Sequence, residues 1–289
     1  MKTTIALLLL LMTWPASSSA QSAGPNLFAR DNLLAWCIVP YDSLHRGPEE
    51  RVAMLQRLGF SQYVWDWREQ HLQDLPAELA AARQAGVRMR GVWLWLDGRT
   101  DRAGQLNEPN RFIIDTVKKA GVPMEYWVGI HVNFFEGLDD AAAVEKGAAM
   151  ISDLREQVGP TGTLCLYNHG GWFGEPDNQI KIIAAAGPER LGIVYNLHHA
   201  EGQVERFAEL LPRMLPYLRA INLNGINPGA KDSDIITLGE GALERGMIRA
   251  LQLSGYAGAL GILGHTEGED VEVVLRRNLE GLNRIAAGH

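Results

Sequence analysis

Two cysteines, Cys37 and Cys165, are all that the 289 residues contain, so a disulfide-stapled fold is excluded and the core must come from packing. Each lies in an apolar, strand-like run. If these runs are the first and fifth strands of an eight-stranded barrel, they sit on opposite walls, beyond the Cα separation of about 7 Å that a bridge tolerates. Buried free thiols are the expectation. A basic cluster is also lacking: 34 acidic against 27 basic side chains give a formal net charge of −7. Surfaces that track phosphates carry a basic stripe, so no nucleic acid partner is expected. After the leader, no apolar run approaches the roughly 20 residues that a spanning helix needs, so no membrane association is expected either. There is no nucleophile elbow, no phosphate-binding P-loop and no His-Glu-x-x-His helix.

The first twenty residues stand apart. Lys2 gives a basic start, Ile5 to Met12 form an apolar block too short to span a bilayer, and small residues run through Ser18-Ser19-Ala20. This is what a signal peptidase requires, so residues 1–20 are expected to be a signal peptide and the mature protein, 21–289, to be periplasmic or secreted. Roughly 270 residues remain, a length that α/β barrels commonly fold as one domain.

Apolar, β-branched and aromatic runs recur about every 25–35 residues with amphipathic stretches between them, the alternation of a parallel sheet. Strands are expected at Leu33–Pro40, Gln62–Trp67, Arg90–Leu96, Glu125–His131, Thr163–His169, Gly192–His198, Ala220–Asn224 and Ala259–His265. The helices between them are punctuated: Pro48-Glu49-Glu50 opens the first, and Gly59, Gly86, Gly121 and Gly187 close helices. Eight βα units without a composition break, and without a Gly-rich dinucleotide fingerprint after the first strand, predict an α/β chain closed into a single-domain (β/α)8 TIM barrel. An open doubly wound sheet is the other arrangement consistent with the pattern. The long segment from Ile226 to about Gly241, rich in Asn, Pro, Gly and Asp, suits an active-site loop.

Barrel chemistry comes from the C-terminal strand ends. Of eight histidines, His131, His169, His198, His199 and His265 fall there, joined by Asn168, Asn196, Asn222 and Asn224, with Asp66 and Asp97 ending the second and third strands. Imidazole and carboxylate at one mouth suit a borderline divalent ion such as Zn²⁺, Mn²⁺, Co²⁺ or Fe²⁺; His169, His199 and His265 are the expected ligands. Successive strand side chains alternate, so His198 and His199 are not expected to face inward together, and His199 is preferred as the residue just past the strand. Asn222 and Asn224 project to one face, where they would meet sugar hydroxyls or metal-bound water. Trp172 beside His169, and Trp65, Trp67, Trp93, Trp95 and Trp127 in other strands, offer stacking faces for a carbohydrate ring, although strand aromatics commonly fill cores. His131, Asp66 and Glu175 are candidate bases by position, and Lys231 lies on the long loop; His131, Asp66 and Lys231 are carried forward as the catalytic set.

Ala35-Trp36-Cys37-Ile38-Val39-Pro40, Trp65-Asp66-Trp67-Arg68, Tyr167-Asn168-His169-Gly170-Gly171-Trp172, Asn196-Leu197-His198-His199, Asn222-Leu223-Asn224-Gly225 and Gly261-Ile262-Leu263-Gly264-His265-Thr266, in this order, resemble the exported members of the sugar phosphate isomerase/epimerase family, the xylose-isomerase-like barrels. The resemblance implies a barrel that holds a divalent metal at its mouth and moves a proton next to a sugar carbonyl. In that family two Glu, an Asp and a His from the last four strands hold the metal. Here His169 or its neighbours, Asn196, Asn222 or Asn224, and His265 stand at those places, so three carboxylates are replaced by neutral groups. Asn196-x-x-His199 keeps the spacing of the family's Asp-x-x-His.

Export favours an unphosphorylated sugar or glycoside. The expected activity is therefore abstraction of a proton α to a carbonyl of a keto-sugar, giving isomerisation, epimerisation or elimination and hydration of a 3-keto-glycoside, with Trp67, Arg68, Asn168, Trp172, Asn196, Asn222 and Asn224 contacting the sugar. Loss of the carboxylate quartet motivates the alternative, a carbohydrate-binding barrel without chemistry. A phosphodiester-cleaving barrel is opposed by the acidic charge. Barrels of this family often pair, so a homodimer is a further expectation.

Overall fold

The computed structural model describes residues 26–200, 202–229 and 235–288; the expected signal peptide and Lys231 lie outside the described residues. Eight parallel strands close into one barrel in sequence order: β1 (Leu33–Trp36), β2 (Gln62–Trp65), β3 (Arg88–Leu96), β4 (Met124–Ile130), β5 (Gly162–Tyr167), β6 (Leu191–Asn196), β7 (Leu218–Leu223) and β8 (Ala259–Leu263). The ring is completed by β1 on β8, with Leu33 opposite Leu260 and Trp36 opposite Leu263. Eight helices cover it: α1 (Pro48–Arg57), α2 (Leu75–Ala85), α3 (Glu108–Ala120), α4 (Asp140–Val158), α5 (Pro176–Ala186), α6 (Phe207–Met214), α7 (Glu244–Leu253) and α8 (Val271–Ala286). The closed barrel is the fold the alternation predicts, and the open sheet is ruled out. None of the described helices is long and apolar enough to cross a membrane.

Local chemistry explains the boundaries. Proline stands in the first turn of α1, α2, α3 and α5, where its missing N–H costs nothing. The Asn107 side chain accepts from the Asn110 N–H to cap α3, and Gly121 ends that helix in the left-handed conformation. All eight expected strands form, but most stop before the expected C-terminal residue. β1 ends at Trp36 because Cys37 adopts φ 56°, and the N–H groups of Ile38 and Val39 then donate to the Asp66 carboxylate, each at 3.2 Å, instead of to a neighbouring strand.

The interior is layered by size. Trp36, Trp127 and Tyr167 fill the centre, Trp36 and Trp127 with ring centroids 4.8 Å apart. Small residues make room: a Cβ on Gly129 would collide with the Trp93 and Trp95 rings. Cys37 and Cys165 are buried free thiols on β1's end and β5. At the N-terminal floor the pairing skips Arg90 opposite β2 and Arg219 opposite β6. These two bulged residues converge on buried Glu125, Arg90 at 3.0 Å and Arg219 at 3.2 Å.

Candidate active site

At the C-terminal mouth a cavity of about 360 Å³ is lined by residues from six of the eight strand ends, among them Asp66, Arg68, Trp93, His169, His199 and His265. β2 ends at Trp65, so Asp66, Trp67 and Arg68 begin the loop that rises from it. Asp66 is 3 % exposed. Its Oδ1 accepts from Ile38 and Val39, while Oδ2 has no hydrogen-bond partner among the described residues. Burial raises its pKa to about 6, against the opposing pull of the Arg68 charge and the backbone donors. A carboxyl poised in this way can exist in either protonation state near neutrality, which is what proton transfer requires.

Arg68 is fixed from three sides. Its Nη2 donates to the Tyr41 hydroxyl at 2.7 Å, its Nη1 to the Trp67 carbonyl at 2.8 Å, and its backbone N–H to His71 Nδ1 at 3.1 Å. The Tyr41 ring lies on that of His265, centroids 3.6 Å apart. Burial foremost, then the neighbouring His199 and Arg68, push the His265 pKa down to about 4, so this imidazole is neutral at physiological pH. Trp67 Nε1 donates to the Trp93 carbonyl, tying the β2 loop to β3.

His198 and His199 both line the cavity, which corrects the expectation that alternation would turn one away. β6 stops at Asn196, and Leu197–His199 form a 3-10 turn, where strand alternation no longer applies. The Asn196 side chain caps this turn by accepting from the His198 N–H, and its Nδ2 donates to the Tyr167 hydroxyl. That hydroxyl also accepts from Trp36 Nε1 and is faced by the Asn222 amide. It therefore forms a buried polar hub beneath the cavity.

Several expected site residues lie outside the cavity lining, most of them bonded to the scaffold. Asn168 donates to the Asn196 carbonyl and accepts from the Asn196 N–H, extending the β5–β6 ladder with its side chain. Asn222 is fully buried over Gly261, and Asn224 is folded against the Gly225 carbonyl. Trp172 donates to Asp140 and packs on Phe135. His131 caps the turn after β4 through the Asn133 N–H and meets Trp95 edge-on. None of these five lines the cavity. Glu175 is paired with Arg206, and hydrogen bonds from Arg99 hold Asp97 well below the usual carboxylate range. Sequence reasoning overlooked Tyr41, Glu69 and the cavity-facing side of Trp36 and Cys37. Their position at the end of β1 or just past β1 or β2 was the available signal, since every strand of a parallel barrel opens its following loop at the same end.

The histidines expected to share a metal reach one cavity, with their rings tilted against one another. His169 and His199 have centroids 4.3 Å apart at 39°, His198 and His199 4.4 Å at 46°, and His198 and His265 5.3 Å at 83°. Among the described residues no three His, Cys, Asp or Glu side chains form a metal-holding group. The described residues alone therefore supply no set that would hold a metal.

Solved structures share this architecture. The IolI protein with a bound zinc atom superposes with a TM-score of 0.66 over 89 % of this chain and 98 % of its own, at 12 % identity. A 3-keto-D-glucoside 4-epimerase from E. coli, in apo form, gives 0.64 over 89 % and 99 % at 12 %. A xylose isomerase domain protein from Alicyclobacillus acidocaldarius gives 0.61 over 89 % and 98 % at 16 %. The fold is that of the xylose isomerase-like barrels. No family model matches the chain, and no curated protein sequence does. In this barrel the long β7–α7 loop is anchored by buried Glu244, which accepts from the N–H groups of Ile226, Gly239 and Gly241.

Proposed function

We propose that this protein is an enzyme acting on an unphosphorylated keto-sugar or 3-keto-glycoside, with Asp66 as the base that removes the proton next to the carbonyl. The observation that carries the reading is the buried Asp66 carboxyl in the wall of the cavity, held through one oxygen while the other has no hydrogen-bond partner among the described residues. The epimerase and isomerase names of similar barrels support the substrate class. Trp36, Trp67, Trp93 and Trp95 supply apolar faces for a ring, and neutral His265 supplies a hydrogen-bonding group beside Arg68. Proton return to the same carbon from the other face gives epimerisation, return to the former carbonyl carbon after enolisation gives isomerisation, and loss of a β-substituent gives elimination. The zinc in the IolI structure supports a metal in this mouth as well; the described residues form no metal-holding group, and the step is written without one. The expected export, as yet supported by the leader sequence alone, favours the unphosphorylated class.

The test is solvent exchange. Protein incubated in D₂O with ketoses and 3-keto-glucosides, read by proton NMR, is expected to wash deuterium into the carbon next to the carbonyl, and Asp66→Asn is expected to slow this by about 10²–10⁴-fold. Sugar binding without exchange in the wild type would replace this reading with a carbohydrate-binding barrel. Exchange that survives in Asp66→Asn would remove Asp66 from the base role.

A further inference from the structure

We infer that the cavity selects a sugar carrying a carboxylate, and that Arg68 is the residue that reads it. This rests on the carbohydrate reading above and narrows it to sugar acids. Arg68 is the only Lys or Arg among the cavity-lining residues described. It forms no ion pair with a described residue, unlike Arg51, Arg57 and Arg90 away from the cavity, each of which is matched to a carboxylate. The two protein acceptors it uses are both uncharged, the Tyr41 hydroxyl and the Trp67 carbonyl. They occupy one hydrogen of each terminal nitrogen and leave the others, with the Nε–H, without a protein acceptor among the described residues.

The positioning argues for a built anchor rather than a stray surface charge. Tyr41 is clamped on His265, His71 holds the Arg68 backbone, and Trp67 is tied to β3, so the fork is fixed before any ligand arrives. A planar fork with parallel N–H vectors matches a carboxylate better than a single hydroxyl does. The lining carboxylates are Asp66 and Glu69. Asp66 faces the β1 turn with one oxygen, and Glu69 is exposed and not ion-paired with Arg68. The anchor and the base are two residues apart on one loop, so a substrate held by its carboxylate at Arg68 presents its carbon chain along the wall that Asp66 occupies.

Binding of D-glucuronate, D-glucose and D-glucose 6-phosphate is to be compared by titration of intrinsic tryptophan fluorescence, since Trp36, Trp93 and Trp95 line the cavity. D-Glucuronate is expected to bind at least tenfold more tightly than D-glucose, with the preference lost in Arg68→Gln, reduced in Arg68→Lys and kept in Arg249→Gln, a remote exposed change of the same charge on α7. Arg68 is exposed, so the variants keep the fold, as their unfolding midpoints will show. Equal binding of the two sugars, or a preference that persists in Arg68→Gln, would overturn the inference. Tighter binding of the phosphate ester would overturn the carboxylate assignment in favour of phosphate. Deuterium exchange into neutral ketoses without a uronate preference leaves the carbohydrate enzyme standing and removes this inference alone. Uronate selection with no exchange on any sugar does the reverse.

Discussion

At the floor of the barrel, Glu125 is buried between Arg90 and Arg219 and both its oxygens are engaged. At the mouth, Asp66 is buried just as deeply, yet its Oδ2 meets no partner and its nearest cation, Arg68, is turned to Tyr41. The same chemical group is thus satisfied at one end and left wanting at the other. The floor shows what this chain does with a buried charge when only stability matters: two strand bulges bring in cations. Among the described residues no such pairing is built around Asp66, and the proposed role of base rests on that difference.

The comparison can be broken at either end. The largest expected effect is catalytic: Asp66→Asn removes exchange activity while Glu125→Gln leaves it within severalfold. The activity of the wild type should rise with pH through a midpoint near 6, because the base must be ionised, and Arg68→Gln should move that midpoint upward by removing a stabilising positive charge. Next comes stability. Glu125→Gln leaves two arginines facing one neutral amide and is expected to cost about 3 kcal/mol in chemical denaturation. Asp66→Asn should do the opposite. Its folded pKa lies above its unfolded value, so the protonated form is favoured in the fold. The associated stability is fully present below about pH 4 and lost as pH rises through about 6. At pH 8 Asp66→Asn should therefore be more stable than the wild type by up to about 3 kcal/mol, with the gap closing in acid. A result in which both substitutions destabilise equally at pH 8 would erase the distinction between floor and mouth.

Smaller effects sharpen it. Gly129→Ala forces a methyl group into Trp93 and Trp95 and is expected to destabilise by about 1–3 kcal/mol while altering the cavity wall, read as a change in sugar affinity. His265, depressed by burial, His199 and Arg68, should remain neutral at pH 5 in an NMR titration. Exchange activity is expected to withstand chelator, since the described imidazoles belong to no metal-holding group. Loss of activity on chelation, restored by one divalent ion, would show that ligand binding re-orients them.

The barrel was legible because its evidence is local and repeated: each strand run, each proline-led helix start and each glycine stop can be read without knowing any neighbour. The mouth was legible in outline for the same reason, because parallel strands place all their C-terminal ends together. Asp66, Trp67, Arg68, Asn196, His169, His199 and His265 were found that way. The individual roles were not, since they depend on partners far away in the chain. Asn168 is indistinguishable in sequence from a sugar-binding amide until the Asn196 backbone is seen to take both of its ends. His198 was set aside because a strand was assumed to continue through a residue where a turn had begun.

What the sequence by itself determined is the number and order of the βα units and the end of the barrel where the polar candidates gather. Only the tertiary structure decided that Ile38 and Val39, as β-prone as any residues in the chain, would leave the sheet and give their N–H groups to Asp66. The physical reason is that periodicity encodes which face of an element is buried, whereas hydrogen-bond partners and pKa values are set by whatever groups the closed barrel brings within about 3 Å.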